Sequence, residues 1–176
     1  NLKTGEILPT EIKNTDGGSC WANDSKTLFY TKIDPQTLRS HKVYRHRVGQ
    51  TSPKDVLVFH EKDETFNTGI FKSKSEQYLI IESDSTLSTE SRFLDASTPE
   101  GVFKIFQPRQ RGLEYDIAHY GEYFYVLNNA DGATNFKLDK TPITHTELEH
   151  WSEVLPHRED TRLEEVDIFK EYLVVT

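Results

Sequence analysis

The nearest match to a nucleophile motif is the run GGSCW at residues 17–21. A serine nucleophile elbow needs Gly-x-Ser-x-Gly on a turn between a strand and a helix, because the glycines permit a strained backbone there. This run lacks the last glycine and stands in a segment with the alternation of strands. It therefore predicts a turn that leads into a strand, and we assign no catalytic residue to the chain.

The seven histidines are the candidate metal ligands. His41 and His46 stand five residues apart, as do His145 and His150, and this spacing puts the members of each pair on opposite faces of a strand. The sequence has neither an HExxH motif nor a cluster of cysteine and histidine. We therefore expect surface or hydrogen-bonding histidines, with no metal and no organic cofactor.

Acidic and apolar residues alternate in LEYDI at residues 113–117 and, with one irregularity such as a bulge, in LEEVDI at residues 163–168. If these are inner strands that line a channel, their acidic side chains give it a negative potential that attracts cationic ligands. The alternative is that the side chains are simply solvated. The candidate channel-lining residues are Glu114, Asp116, Glu164 and Asp167.

Two arginines, Arg109 and Arg111, stand in the loop PRQRG at residues 108–112. Arginine favours fixed pairing with carboxylates, so both are candidates for a contact at the rim of the fold or with another domain. Ordinary exposed loop arginines are the alternative. The basic run HKVYRHR at residues 41–47 likewise reads either as a solvated outer strand or as a docking surface.

The elements that position these residues are indicated by a strand that occurs four times: TLFYTKID, YLIIESD, YFYVLNNAD and YLVVT, beginning at residues 27, 78, 123 and 172. Leu28, Leu79, Phe124 and Leu173 of these strands are 51, 45 and 49 residues apart, and other strand-like segments recur in step. Four short strands per repeat of about 40 to 50 residues are typical of β-propeller blades. Helical spacing is scarce, and residues 144–154 suit at most one helical turn.

The sequence thus predicts an all-β fold, a β-propeller segment of about three four-stranded antiparallel blades with partial blades at both ends. We expect blades at residues 15–61, 62–108 and 109–156, the end of a preceding blade at 1–14 and the start of the next at 157–176. Propellers generally need 4 to 8 blades to close, and the chain opens on Asn1 instead of methionine. We therefore expect a piece of a longer protein, whose open sheet edges would allow edge-to-edge association.

Composition excludes some function classes. The net charge of −8 opposes the phosphate contacts on which nucleic-acid affinity depends. No signal peptide and no apolar run of membrane-spanning length is present. The lone cysteine, Cys20, cannot form an intrachain disulfide, which suits a reducing compartment.

Several stretches resemble the propeller of the prolyl oligopeptidase family of serine peptidases, and within it the oligopeptidase B (protease II) branch. They are CWANDSK with LFY at residues 20–30, HKVYRH at 41–46 and EKDETF at 61–66. SKS before YL at residues 73–79, PR with GLEY at 108–115, and NN through ATNFKL at 128–138 extend the resemblance along nearly the whole chain. Their order and spacing are more specific than any one stretch.

The resemblance implies a seven-bladed propeller that caps an α/β-hydrolase domain, admits short peptides and excludes folded proteins. The implied reaction is hydrolysis of oligopeptides by a Ser-Asp-His triad, after lysine or arginine in the oligopeptidase B branch. The triad belongs to the hydrolase domain, which is absent here, so the segment alone is expected to be inactive.

The expected partners are that hydrolase domain and oligopeptides with lysine or arginine, with no nucleic acid and no membrane, in the cytoplasm or alternatively the periplasm. A non-enzymatic propeller scaffold is the alternative from another class. Against it, the glycine pairs of kelch repeats and the Trp-Asp ends of WD40 blades are missing.

Overall fold

A computed structural model of the chain describes residues 3–7 and 10–176. This part contains fourteen β-strands and three short 3-10 turns, at Ser52–Lys54, Ala130–Gly132 and Leu148–His150. Among the described residues, no helix has the length and apolar character needed to cross a membrane.

The strands form three four-stranded sheets and one two-stranded sheet. The first sheet consists of β1 (Ser19–Trp21), β2 (Thr27–Ile33), β3 (Ser40–Arg47) and β4 (Val56–His60). The second consists of β5 (Asn67–Lys72), β6 (Tyr78–Ser85), β7 (Ser88–Asp95) and β8 (Lys104–Ile105). The third consists of β9 (Tyr115–Tyr120), β10 (Tyr123–Asn128), β11 (Lys137–Pro142) and β12 (Ser152–Leu155). The last pair is β13 (Val166–Ile168) and β14 (Leu173–Val175).

Consecutive strands pair antiparallel within every sheet, so each four-stranded sheet is a meander that begins at its innermost strand. The innermost strands are β1, β5, β9 and β13, and β1 contacts β5 as β13 contacts β9. We call the three sheets the first, second and third blades and the last pair the partial fourth blade. This architecture confirms the predicted all-β propeller segment.

The core lies between blades. Phe29, Val43 and Ile81 belong to an apolar cluster that joins the first and second blades, whereas Ile80 and Phe124 belong to one that joins the second and third. Successive side chains of a strand point to opposite faces, so the neighbours Ile80 and Ile81 bring β6 into both clusters. Full burial of one such side chain contributes about 1.5–3 kcal/mol, and this burial holds neighbouring blades together.

The antiparallel meanders leave two rims of loops. One rim, which we call the crossover rim, carries the turns between the second and third strands of each blade and the connections from one blade to the next. There the Arg39 guanidinium donates hydrogen bonds to the backbone oxygens of Asp63 and Phe66, at 3.1 and 2.7 Å. The Asn135 side-chain amide donates hydrogen bonds to the backbone oxygens of Arg158 and Glu159, at 3.1 and 2.9 Å. Hairpin turns of this rim are thus bonded to the connection that follows their blade.

The other rim, which we call the inner-loop rim, carries the loops between the first and second strands of each blade. These loops bond from blade to blade. Lys72 Nζ donates to Asn23 Oδ1 at 2.8 Å, and Tyr120 Oη donates to the Lys170 oxygen at 2.9 Å. Each of these loops directly follows an innermost strand, so it lies close to the propeller axis.

The N-terminal segment, residues 1–14, was expected to be the end of a preceding blade. Leu2, Leu8 and Pro9 lie outside the described residues. Residues 3–7 and 10–12 contain a turn and irregular backbone instead of a strand.

Candidate functional site

Three carboxylates gather where the second strand of the second blade faces the innermost strand of the third blade. Glu82 and Asp84 lie on β6, and Asp116 lies on β9. Burial and, to a smaller degree, the charges of Asp116 and Asp84 together raise the pKa of Glu82 to about 7. Burial also raises the pKa of Asp116, with added repulsion from Asp84 and Glu114. Because negative charges outweigh nearby cations here, this acidic site (Glu82, Asp84 and Asp116) favours a cationic ligand.

Access to Glu82 depends on the residue opposite it. Glu82 pairs with Gly69 on the innermost strand β5, and paired residues present their side chains to the same face. Apart from Gly69 and its two chain neighbours, no residue has an atom within 4 Å of the position where a Cβ of Gly69 would stand. The missing side chain therefore leaves open space beside the Glu82 carboxylate, on the axis side of the blade.

Glu82 and Asp84 were not among the predicted site residues, although a signal for Glu82 exists. At the equivalent position of the repeated strand the first blade has Thr31, 0% exposed, and the third has Leu127, 2% exposed. A carboxylate at a position that other blades bury as Thr or Leu indicates a functional departure from the repeat.

Replacing Glu82 with glutamine should change how stability depends on pH. The folded chain holds the proton of Glu82 up to a pKa of about 7, whereas the unfolded chain loses it near the ordinary value of 4.5. Stability therefore falls as pH rises between these values, and the variant escapes this loss. We expect Glu82→Gln to be more stable by about 1–2 kcal/mol at about pH 8 and equally stable at about pH 4.

Urea unfolding followed across this pH range measures the difference. Glu159→Gln, which neutralises an exposed acid, is the matched control and should show no pH-dependent gain. A gain for Glu82→Gln that is the same at every pH would contradict the raised pKa of Glu82 in the folded chain.

The other predicted acidic residues are separated by the fold. Glu114 stands just before β9, where Asn129 Nδ2 donates to its Oε1 at 3.2 Å, and its charge acts on Asp116. Asp167 on β13 forms an ion pair with Lys74 at 2.7 Å. Glu164 is exposed and precedes β13, and its N–H donates to the Thr176 oxygen at 2.8 Å. The structure thus groups Glu114 with Asp116 and places Glu164 and Asp167 on the partial fourth blade.

The two predicted arginines have different surroundings on the crossover rim. Arg109 Nη2 lies 2.6 Å from Glu61 Oε2 and 3.1 Å from Glu90 Oε1, and its guanidinium stacks 4.0 Å above the Phe66 ring. Burial would raise the pKa of Glu90, but the hydrogen bonds of Arg109 and the charges of Arg92 and Arg109 outweigh it and hold that pKa below its usual range. Arg109 is therefore bound within the chain.

Arg111, by contrast, is exposed and lines two shallow grooves of the same rim, with volumes of about 540 and 510 Å³. A contact of either arginine with a second domain stays a prediction.

The GGSCW run at residues 17–21, the nearest match to a nucleophile motif, has a structural role. Ser19 begins β1 after a turn at Gly17, whose φ is +94°. Cys20 is buried, and burial raises the pKa of its thiol to about 12, so the thiolate that could act as a nucleophile is scarce at neutral pH.

The histidines do not converge on a metal site. The expectation that His145 and His150 lie on opposite faces of a strand is wrong, because they stand in a loop and a 3-10 turn that bring their rings to 5.1 Å. His46 on β3 instead bonds through Nδ1 to Asp55 Oδ1 at 2.7 Å. Within residues 3–7 and 10–176 there is no group of three or more His, Cys, Asp or Glu arranged to hold a metal ion.

Comparison with known proteins gives consistent matches along the whole chain. The family profile described as "Prolyl oligopeptidase, N-terminal beta-propeller domain" matches residues 1–176. A protein named dipeptidyl aminopeptidase BI, from Pseudoxanthomonas mexicana, is 39% identical over 99% of this chain and 24% of its own length. Protease 2 from Moraxella lacunata is 30% identical over 99% of this chain and 25% of its own length.

Solved structures of two oligopeptidases share the fold of this chain. Oligopeptidase B from Leishmania major superposes with a TM-score of 0.91 at 30% identity, over 99% of this chain and 24% of that one. Oligopeptidase B from Trypanosoma brucei, with covalently bound antipain, gives 0.89 at 27% identity, over 96% of this chain and 24% of that one. The chain spans about a quarter of the length of the relatives it matches. It therefore belongs to the prolyl oligopeptidase family, as part of the N-terminal β-propeller domain of that family.

Proposed function

We propose that this chain is the gating propeller segment of a serine oligopeptidase that hydrolyses short peptides after lysine or arginine. The observation that carries the proposal is the acidic site, where Asp84 and Asp116 add negative charge around the half-buried Glu82 carboxylate, beside the open space at Gly69. A lysine or arginine side chain that approached this site would relieve the repulsion between the carboxylates. The interaction would be strongest inside a narrow channel, where low-dielectric walls focus the field.

The role of the segment in the complete protein is to filter substrates by size and to attract cationic ones. Hydrolysis itself would occur in an α/β-hydrolase domain of the same protein, through an acyl-enzyme formed by a Ser-Asp-His triad. This chain contributes no member of that triad and would be inactive by itself. We propose a cytoplasmic location, with a periplasmic one as the alternative.

The test is the salt dependence of substrate capture by the complete reading frame that carries this chain. Neutralising two carboxylates, in Glu82→Gln/Asp116→Asn, should lower kcat/KM for an arginine-rich peptide about 3- to 10-fold at low salt, because steering falls with the local charge. The loss should shrink as ionic strength rises, since salt screens the same interaction. An uncharged peptide of equal length should be unaffected.

Glu153→Gln is the matched control, because Glu153 is an exposed acid on the outermost strand β12 of the third blade. It should leave kcat/KM unchanged at every ionic strength. Equal values for the double variant and the unaltered enzyme across ionic strengths would contradict a steering role for the acidic site.

A second candidate within the same family is release of dipeptides from the N-terminus of a substrate. The protein named dipeptidyl aminopeptidase BI has the higher identity of the two relatives compared above, 39% against 30%. An acidic site could bind a free α-ammonium group as well as a side-chain cation. Product analysis separates the two: an N-acetylated arginine peptide is cleaved by an endopeptidase, whereas a dipeptidyl aminopeptidase needs the free amine.

A further inference from the structure

One loop of the inner-loop rim contacts all three other blades. It comprises residues 73–77 and joins β5 to β6 in the second blade. Its Glu76 backbone oxygen accepts from Asn23 Nδ2 of the first blade at 3.1 Å. Its Ser75 hydroxyl is bonded to His119 Nδ1 of the third blade at 2.8 Å, and Lys74 Nζ lies 2.7 Å from Asp167 Oδ1 of the partial fourth blade.

The Lys74 contact is unusual because it joins two blades that are not neighbours in the chain. The third blade follows the second and precedes the partial fourth, yet Lys74 of the second blade pairs with Asp167 of the fourth. It is fixed there by the ion pair and by the Phe169 ring, whose centroid lies 3.8 Å from Nζ. Lys74 also lines a groove of about 530 Å³, together with Ser75, Tyr120 and Phe169 among others.

This bridge joins the ends of inner strands, where the channel of a propeller opens. Lys74 follows β5 by two residues, and Asp167 lies on β13, so both stand on innermost strands or next to them. Asp167 is also one of the acidic residues that a cationic peptide would meet at this rim. The anion that holds Lys74 in place is thus the anion for which such a peptide would compete.

We propose that Lys74 is a specificity-determining latch across the channel mouth, which a cationic peptide displaces by pairing with Asp167. The inference rests on the proposed function, in that the arriving peptide carries lysine or arginine. The latch is weak enough to open: the side chains of Lys74 and Asp167 are 50% and 44% exposed, and exposed ion pairs contribute little and are screened by salt.

Kinetics of the complete reading frame test the latch. Lys74→Met removes the bridge, and we expect it to raise kcat/KM about 2- to 5-fold for both a basic and an uncharged decapeptide, the range that fits loss of an exposed ion pair. Asp167→Asn also opens the latch, but it removes the carboxylate with which a cationic peptide would pair. It should therefore raise kcat/KM for the uncharged peptide alone. A single-residue arylamide, which is small enough to enter past the latch, should be unaffected by either.

Lys72→Met is the matched control. It removes the same charge two residues earlier, but Lys72 bonds to Asn23 of the neighbouring first blade and does not cross the mouth. Equal effects of Lys72→Met and Lys74→Met would overturn the proposal. A lower kcat for Lys74→Met with every substrate, the arylamide included, would also overturn it, because Lys74 would then support the catalytic machinery.

These results separate failure of the latch from failure of the proposed function. If the enzyme has no preference for basic peptides, the proposed function fails, yet a real latch still lets Lys74→Met and Asp167→Asn speed the uncharged peptide alike. If the frame hydrolyses no peptide, hydrogen exchange decides. Added tetra-arginine should speed amide exchange in residues 73–77 by displacing Lys74, and unchanged exchange there would contradict the latch.

Discussion

Replacing Phe124 with alanine is expected to lower the free energy of unfolding by about 3–5 kcal/mol, the range for a buried phenylalanine. Phe124 lies on β10 and is 0% exposed. Its ring stands 5.2 Å from those of Tyr78, Phe93 and Phe106 and 5.1 Å from that of His119. Since Tyr78, Phe93 and Phe106 belong to the second blade, the cavity would open between two blades, where neither blade can collapse to fill it.

Urea unfolding followed by the fluorescence of Trp151 measures this loss, because Trp151 packs against Tyr115 of the third blade at 5.6 Å. Phe124→Leu keeps most of the volume and should cost less than about 1.5 kcal/mol. Phe169→Ala, at a ring that is 44% exposed, should cost less still. A loss below about 1 kcal/mol for Phe124→Ala would mean that the aromatic cluster does not join the blades.

Replacing Arg109 with methionine is expected to lower the free energy of unfolding by about 2–4 kcal/mol, because two buried glutamates lose their cationic partner. Glu61 and Glu90 are only 4% and 5% exposed. The cost stays below that of a fully buried pair, since the Arg109 side chain is itself 30% exposed and water screens its charge. Arg92, 2.6 Å from Glu90 Oε1, compensates one of the two carboxylates.

Chemical unfolding of paired variants measures the effect of Arg109. Arg111→Met in the same loop removes the same charge from an exposed side chain, and it should stay within about 0.5 kcal/mol of the unaltered chain. Adding Glu61→Gln to Arg109→Met should recover part of the loss, because the uncompensated buried charge is gone. Equal costs for Arg109→Met and Arg111→Met would refute the assignment of Arg109 to a buried ion-pair network.

The propeller architecture could be predicted from the sequence because the second strand of each four-stranded blade pairs with a strand on both sides. Leu79 and Phe124 on these strands are fully buried, and the matching positions Leu28 and Leu173 are also apolar, which makes the repeat visible. The resemblance to the prolyl oligopeptidase family was confirmed by the comparisons along all 176 residues.

The site could be predicted only in part, because its members meet across blades. The alternation in LEYDI predicts that Asp116 points away from the apolar core, but its neighbour Glu82 is 34 residues away on another blade. The opening beside Glu82 depends on the strand register that sets Gly69 against it. Arg109 likewise finds Glu61, 48 residues earlier, only through the folded connection between blades. Contacts between residues so far apart in the sequence depend on how the blades pack, and no local sequence pattern indicates them.

The most direct test of the account is cleavage of a short fluorogenic peptide ending in arginine. The 176-residue chain and the complete reading frame that contains it are compared, each with and without a serine-directed phosphonate. The account predicts activity in the complete frame alone, abolished by the phosphonate. Activity in the isolated chain would contradict it by revealing a catalytic site within the propeller, and inactivity of both would favour a non-enzymatic scaffold.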